Sequence, residues 1–309
     1  MKSPSHFRSL GGVALFAAVV SAATAFGGTV SHGNFSTSKV SFRDVTESGA
    51  DIPPGLFIPP TPTLLETGNR SELSFFPNRF VLTDQSFAFQ LKSLSSQLGM
   101  FVAGKTVLSG SGGATAYELT SLTLNVKGAY ELYAPFSNIP PSGATSVAQA
   151  QMSNVPLTIK VTGVNWESYA GGIALGTEIA VTPSTQTVSG PNGSASGIWS
   201  GSYSVDWAAL RVQAGIQPTD YITEIQIQAT PAVHAASMFA SAQASVTNFD
   251  VQTNTAPVAV PEPPTIILAG LGAAAAVGHG YRRRKLRHRD GEGSDGEWND
   301  EEGAIALTA

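Results

Sequence analysis

Apolar and polar residues alternate with a period of two through the middle of the chain, and this pattern constrains the fold more than any other feature. Successive side chains of a β-strand point to opposite faces, so such a segment buries one face and leaves the other in water. Clusters of Gly, Pro and Ser, which favour turns, separate the segments. We therefore predict an all-β domain over residues 26–256, called the body below, which folds as an antiparallel β-sandwich or jelly roll. The main alternating segments are 35–45, 87–91, 122–126, 155–161, 199–207, 225–227 and 240–251.

Three segments interrupt this alternation. Residues 208–214 and 93–98 are each compatible with one short helix. Residues 51–62 contain five prolines. Proline cannot donate to a strand ladder, so the last segment is predicted to be a loop or an edge crossing.

Composition excludes several classes of protein. Hydrophobic residues make up 42% of the chain and charged residues 13%, which is too apolar and too weakly charged for a disordered protein. The chain has no cysteine, so disulfides, thiol nucleophiles and cysteine metal sites are excluded. Residues 28–259 hold 14 acidic and 9 basic residues, a balance that gives no electrostatic footprint for nucleic acid.

The first 25 residues have the three parts of a signal peptide. Two basic residues precede the apolar run 10–20, which is long enough for a signal helix and too short to cross a bilayer. Small residues follow, with Ala23 and Ala25 in the A-x-A arrangement that signal peptidase cleaves. We therefore expect residues 1–25 to be removed during export.

The C-terminal segment begins with a stiff linker at 257–264 and continues into an apolar stretch at 265–281. Two prolines flanking one glutamate hold the linker extended and present a single carboxylate. The apolar stretch is predicted to be one short transmembrane helix, whose length only marginally matches the hydrocarbon core. The linker motif consists of Val260, Pro261, Glu262 and Pro263.

A basic cluster at 282–289 follows the apolar stretch, and an acidic tail predicted to be disordered occupies 290–309. By the positive-inside rule, the cluster acts as a stop-transfer signal that stays in the cytoplasm. The body is therefore expected to lie outside. The tail holds seven acidic residues and no basic one. The basic residues of the cluster are Arg282, Arg283, Arg284, Lys285, Arg287 and Arg289.

The order of Pro-Glu-Pro, short apolar helix and arginine cluster resembles the PEP-CTERM sorting signal of bacterial exported proteins. The start of the body, at 30–48, also looks like that of planctomycete-type exported proteins with this signal. The resemblance implies that exosortase, a membrane peptidase or transpeptidase, processes the chain. It also implies delivery to the cell surface or to extracellular polysaccharide.

Motifs for catalysis are absent from the sequence. The body holds two histidines, His32 and His234, and the chain has neither a G-x-S-x-G nor an H-E-x-x-H motif. We therefore expect no enzymatic activity, no catalytic residues, no metal site and no cofactor.

Two hypotheses remain for the body. The first is a surface or matrix protein without a defined ligand. The second is a carbohydrate-binding module acting on exopolysaccharide, because aromatic rings in the second half of the body could stack on sugars. Buried aromatics at a period of two more often belong to a core. The aromatic candidates are Trp166, Tyr169, Trp199, Tyr203 and Trp207, of which Trp199, Tyr203 and Trp207 fall in one alternating segment.

Overall fold

The structure is a computed structural model that describes residues 28–49, 56–57, 62–108, 114–136 and 143–259. The predicted signal peptide with Ala23 and Ala25 lies outside the described residues. So do the Pro-Glu-Pro motif, the apolar stretch 265–281 predicted to be a transmembrane helix, the basic cluster and the acidic tail. Within the described residues, no helix has both the length and the apolar character needed to cross a membrane.

The described residues form eighteen strands and one helix. In chain order the strands are β1 Thr29–Ser36, β2 Val40–Ser48, β3 Thr63–Thr67, β4 Arg70–Phe75, β5 Val81–Asp84, β6 Lys92–Ser95, β7 Gln97–Gly104, β8 Thr106–Leu108, β9 Ala114–Ala134, β10 Val147–Met152, β11 Val155–Val164, β12 Glu167–Ser168, β13 Leu175–Ile179, β14 Thr185–Ser189, β15 Gly193–Ser204, β16 Ile222–Ala229, β17 Ala232–Met238 and β18 Ser241–Ala259. The helix, α1, is Trp207–Ala214.

The strands form three sheets, and the strand pairs with a described register are all antiparallel. The first sheet has the order β1-β2-β7-β16-β11-β12, with β13 also paired to β11. The second has the order β14-β10-β17-β6. The third has the order β15-β9-β18-β4-β3, with β5 paired to β18 and β8 to β9. The prediction of an antiparallel all-β body is thus confirmed.

The second sheet continues the first, strand by strand. The neighbours β14, β10, β17 and β6 lie next to each other in the same order as β13, β11, β16 and β7. Each strand of the second sheet is separated from its counterpart in the first by a short interruption. Examples are Ser96 between β6 and β7 and residues 230–231 between β16 and β17. Backbone hydrogen bonds continue at these interruptions, with the Ser96 N–H donating to the Pro231 carbonyl at 3.3 Å and the Ser153 N–H to the Ala232 carbonyl at 3.1 Å. The two sheets therefore form one interrupted layer.

The third sheet packs face to face against this layer. At Gly128 in β9, an added Cβ would lie 3.2 Å from the sulfur of Met152 in β10 and 3.0 Å from the Trp199 ring, so only glycine fits there. One core cluster draws side chains from all three sheets, including Val161, Ala148 and Leu124. Burial of these apolar faces is the main stabilising contribution.

Most predicted alternating segments are core strands. Alternate residues are buried in β9, β11 and β16, as the period of two predicts. The predicted helix at 208–214 is confirmed by α1. Asp206 caps its start by accepting from the Ala208 and Ala209 N–H groups at 3.0 and 3.1 Å. The short helix also considered at 93–98 is wrong, since residues 93–95 lie in β6 and residues 97–98 in β7.

The predicted strand at 87–91 is also wrong. This segment connects β5 of the third sheet to β6 of the second, so its backbone lies between sheets. Its apolar side chains are exposed instead of buried, to 78% at Phe87 and 57% at Leu91. At the other end of the body, β18 continues to Ala259, three residues into the segment predicted to be linker.

Candidate functional site

The three aromatics predicted to stack on sugars do not form an exposed platform. Trp199 is fully buried and packs against Tyr130, with ring centroids 5.2 Å apart. Tyr203 and Trp207 are half-buried against the core. Trp207 is also the first residue of α1 and has left the strand that carries the other two. The role predicted for Trp199 is corrected accordingly, because an aromatic ring without exposed surface cannot contact a ligand.

A cleft of about 430 Å³ lies on the outer face of the first sheet. Three paired residues of β2, β7 and β16 lie side by side in this sheet: Ser41, Ala103 and Glu224. Their sequence neighbours, Phe42, Val102 and Ile225, are buried in the core. Because side chains alternate along each strand, this first set faces outward. The outer face of a sheet therefore supplies the floor of the cleft.

Small residues keep this floor low. The two are Ala103 of β7 and Gly163 of β11, and Gly163 is paired with Glu224 of β16. A Cβ added at Gly163 would lie 2.7 Å from the Glu224 Cβ, so a larger residue there would collide with its neighbour and fill the cleft. The pairing of β-strands thus produces a trough across β7, β16 and β11.

Charged side chains form the walls of the trough in equal numbers of each sign. Arg43 pairs with Glu224, whose other carboxylate oxygen accepts from the Thr162 hydroxyl at 2.8 Å. Lys105 donates to the Thr37 carbonyl at 3.0 Å, and Glu167 completes the lining charges. The side chain of Arg43 is 49% exposed, so its remaining donors face solvent. The walls can therefore donate and accept hydrogen bonds without an excess charge.

Trp166 is the aromatic residue of the cleft, and the strand pairing positions it. β11 and β12 form a hairpin in which Val164 faces Glu167, leaving Asn165 and Trp166 as a two-residue loop. Asn165 fixes the loop by accepting from the Tyr221 N–H at 2.8 Å. The Trp166 and Tyr221 rings contact each other, with centroids 5.9 Å apart. An aromatic ring thus stands beside the hydrogen-bonding walls.

Ser153 and His234 make a contact that resembles part of a hydrolase triad. The Ser153 hydroxyl and the His234 Nε2 are 2.8 Å apart, and burial lowers the pKa of His234. The other ring nitrogen, Nδ1, is buried without a hydrogen-bond partner among the described residues. A triad needs an acidic group at that nitrogen to orient and stabilise the imidazolium. The pair therefore lacks the geometry of an activated nucleophile.

Glu47 is a buried carboxylate with a structural role. It accepts from the Leu56 N–H at 2.5 Å, the Phe57 N–H at 3.1 Å and the Ser96 hydroxyl at 2.6 Å, and His32 lies 3.3 Å away. Burial alone would raise the pKa of Glu47, but these hydrogen bonds outweigh it and lower the pKa. Glu47 thereby fixes Phe57, a core residue, through its backbone.

Asp84 is a second buried carboxylate, and it joins two sheets. It lies in β5 and accepts from Ser237 of β17 at 2.7 Å, from Ser86 at 2.5 Å and from Lys92 of β6 at 2.5 Å. Burial opposes its ionisation, yet the bonds from Lys92, Ser86 and Ser237 lower the pKa of Asp84 to about 2. Both buried carboxylates are thus stably ionised anchors. Among the described residues, no three acidic or histidine side chains form a group that could hold a metal ion.

The comparisons with known proteins identify the C-terminal segment. Residues 259–285 match the family model of the PEP-CTERM protein-sorting motif. The chain therefore carries this motif, which implies processing by an exosortase. The signal implies export, with the C-terminus anchored in the membrane before processing. No match was found among curated proteins. The similarity of residues 30–48 to planctomycete-type proteins stays a prediction.

Proposed function

We propose that this chain is a non-enzymatic protein of the cell surface or extracellular matrix, which an exosortase sorts through its PEP-CTERM motif. The observation that carries the proposal is the motif match at residues 259–285. Signal peptidase first removes residues 1–25, and the apolar stretch 265–281 then holds the chain in the membrane. The body is thereby delivered outside the cell.

The proposed recognition element is the single carboxylate of Glu262 between two prolines. It lies just before the apolar stretch, which places it at the outer surface of the membrane. The basic cluster arrests translocation, because moving several cations through hydrocarbon is very costly. The motif therefore stays within reach of a membrane peptidase.

The substitution Glu262→Gln tests this recognition, because it keeps the size of the side chain and removes its charge. We expect the variant to stay full-length in the membrane fraction, whereas the wild type is shortened and found outside. A chain lacking 290–309 serves as the control and should be processed like the wild type. Identical blots for Glu262→Gln and wild type would mean that the carboxylate is not read.

A carbohydrate-binding module is the second candidate function for the body. The cleft favours it, since Arg43, Glu224 and Trp166 combine a charged donor, a charged acceptor and an aromatic ring in one cleft. Ligand sites commonly pair an apolar surface with a few placed polar groups. Retention of the exported protein by polysaccharide, compared with an unrelated exported protein, tests this function.

A further inference from the structure

The loop that carries Trp166 has a backbone conformation that a tryptophan rarely adopts. Asn165 has φ 51° and Trp166 has φ 63°. Positive φ at both central residues is the requirement of a type I′ hairpin turn, in which Asn-Gly is the favoured pair. Asn165 matches this preference. Trp166 occupies the position where glycine would be free of strain, and a bulky residue there is an outlier.

Trp166 carries a second cost besides its backbone. Its indole Nε1 is buried and has no hydrogen-bond partner among the described residues. An unpaired buried donor destabilises a fold. Its backbone N–H donates to the Thr223 hydroxyl at 3.2 Å, a bond that any residue except proline could make, and its ring contacts the Tyr221 ring. Strained residues of this kind concentrate at binding sites.

We propose that Trp166 is the stacking residue of a polysaccharide-binding cleft, with Arg43 and Glu224 as the hydrogen-bonding partners of sugar hydroxyls. This inference rests on the carbohydrate-binding function proposed above. The trough runs across β7, β16 and β11, so a chain of sugar rings can lie along it with one ring against Trp166. The indole supplies the apolar surface that a sugar ring covers.

The charges of the cleft select a neutral polysaccharide. Two cationic side chains, Arg43 and Lys105, face two carboxylates, Glu167 and Glu224. An acidic polymer would meet both carboxylates, and it would gain no net attraction from the two cations. Neutral hydroxyls can pair with either sign. Binding of a neutral polysaccharide should therefore change little with salt, because salt screens interactions between charges and this ligand carries none.

Affinity gel electrophoresis of the full chain in mild detergent tests the proposal, with β-glucan, galactomannan and dextran as neutral probes and alginate as the acidic probe. We expect retardation by at least one neutral probe, independent of salt. Trp166→Gly should weaken that binding about tenfold or more, as truncation of an aromatic anchor does. The same variant should unfold at an equal or higher urea concentration, because glycine relieves the turn.

Three further variants sharpen the result. Trp166→Phe keeps an aromatic ring and should retain most of the binding. Trp166→Asn also suits a positive φ, and it replaces Trp166→Gly if the glycine variant fails to fold. Tyr133→Ala is the matched control, because Tyr133 is an aromatic residue with 51% exposure on β9 of the third sheet. Its binding should equal that of the wild type.

Several results would overturn the proposal. They are unchanged binding by Trp166→Gly, loss of binding by Tyr133→Ala instead, retardation by alginate alone, and no retardation by any probe. If the wild type and Trp166→Gly bind a neutral probe equally well, the carbohydrate-binding function still holds, but the cleft is not its site. None of these results bears on sorting, which the Glu262→Gln fractionation tests separately.

Discussion

Replacing Asp84 with asparagine should destabilise the body in a way that depends on pH. The Asp84 carboxylate accepts three hydrogen bonds and connects β5 to β6 and β17. Asparagine keeps one acceptor oxygen and the shape of the side chain, but it loses the negative charge. It therefore imitates protonated aspartic acid in the same surroundings.

The size of the effect follows from the pKa of Asp84. A folded pKa of about 2 against the ordinary aspartate value of 3.8 corresponds to roughly 2.4 kcal/mol. Lys92 is 49% exposed, so water screens part of its contribution and about 2 kcal/mol is expected. Because the folded pKa is the lower one, this stability is present above about pH 4. It is lost as the pH falls from about 4 to about 2.

Urea denaturation of residues 26–259, followed by tryptophan fluorescence at several pH values, measures this difference. At pH 7 the wild type should be more stable than Asp84→Asn by about 2 kcal/mol, and the two curves should converge near pH 2. The control is Asp44→Asn at an exposed position, where a change below about 0.5 kcal/mol is expected. A difference that stays constant from pH 7 to pH 2, or no difference at pH 7, would refute the reasoning.

Three other outcomes follow from the same structure. Trp199→Ala should lower the free energy of unfolding by about 3–5 kcal/mol, because it leaves a cavity in the core, and a urea midpoint equal to that of the wild type would contradict this. Glu47→Gln should lower the free energy of unfolding, measured by thermal denaturation, by about 2–3 kcal/mol. The reason is that the amide N–H₂ of the new side chain faces the backbone N–H of Phe57, so that two donors meet and neither is satisfied. Unchanged melting would show that Glu47 does not anchor that residue. N-terminal sequencing of the exported protein should begin at Phe26, and a sequence beginning at Met1 would disprove cleavage.

The strands of the core could be predicted from sequence because their periodicity is local. Val155, Leu157, Ile159 and Val161 alternate with polar residues, and each is buried in β11. The strand predicted at 87–91 was wrong because alternation alone does not show whether a neighbouring strand is available for pairing. At that point the chain passes between two sheets, so a period-two pattern there has no ladder to join.

The cleft could not be predicted because its residues come from distant parts of the sequence. Arg43, Lys105, Trp166 and Glu224 meet only through the pairing of β2, β7, β16 and β11, and no short motif determines that order. Even the tight hairpin at Asn165 and Trp166 gave no local signal, because its second strand, β12, has only two residues and no alternating pattern.

Trp199 shows why the identity of an aromatic residue does not decide its role. The sequence places it in an alternating segment together with Tyr203, and either face of that strand could have been the exposed one. The structure puts the face of Trp199 against Tyr130 and the glycine at position 128, inside the core. Trp166 lies in a turn, outside any alternating pattern, and it is the residue that lines a cleft.

The intact mass of the exported protein, from cells with and without a functional exosortase, tests the central claim most directly. With the exosortase, the mass should correspond to a chain that starts at Phe26 and has lost the apolar stretch 265–281 and everything after it. Without the exosortase, the chain should keep its C-terminus through residue 309 and remain in the membrane. A C-terminus at residue 309 in both strains would contradict sorting through the PEP-CTERM motif.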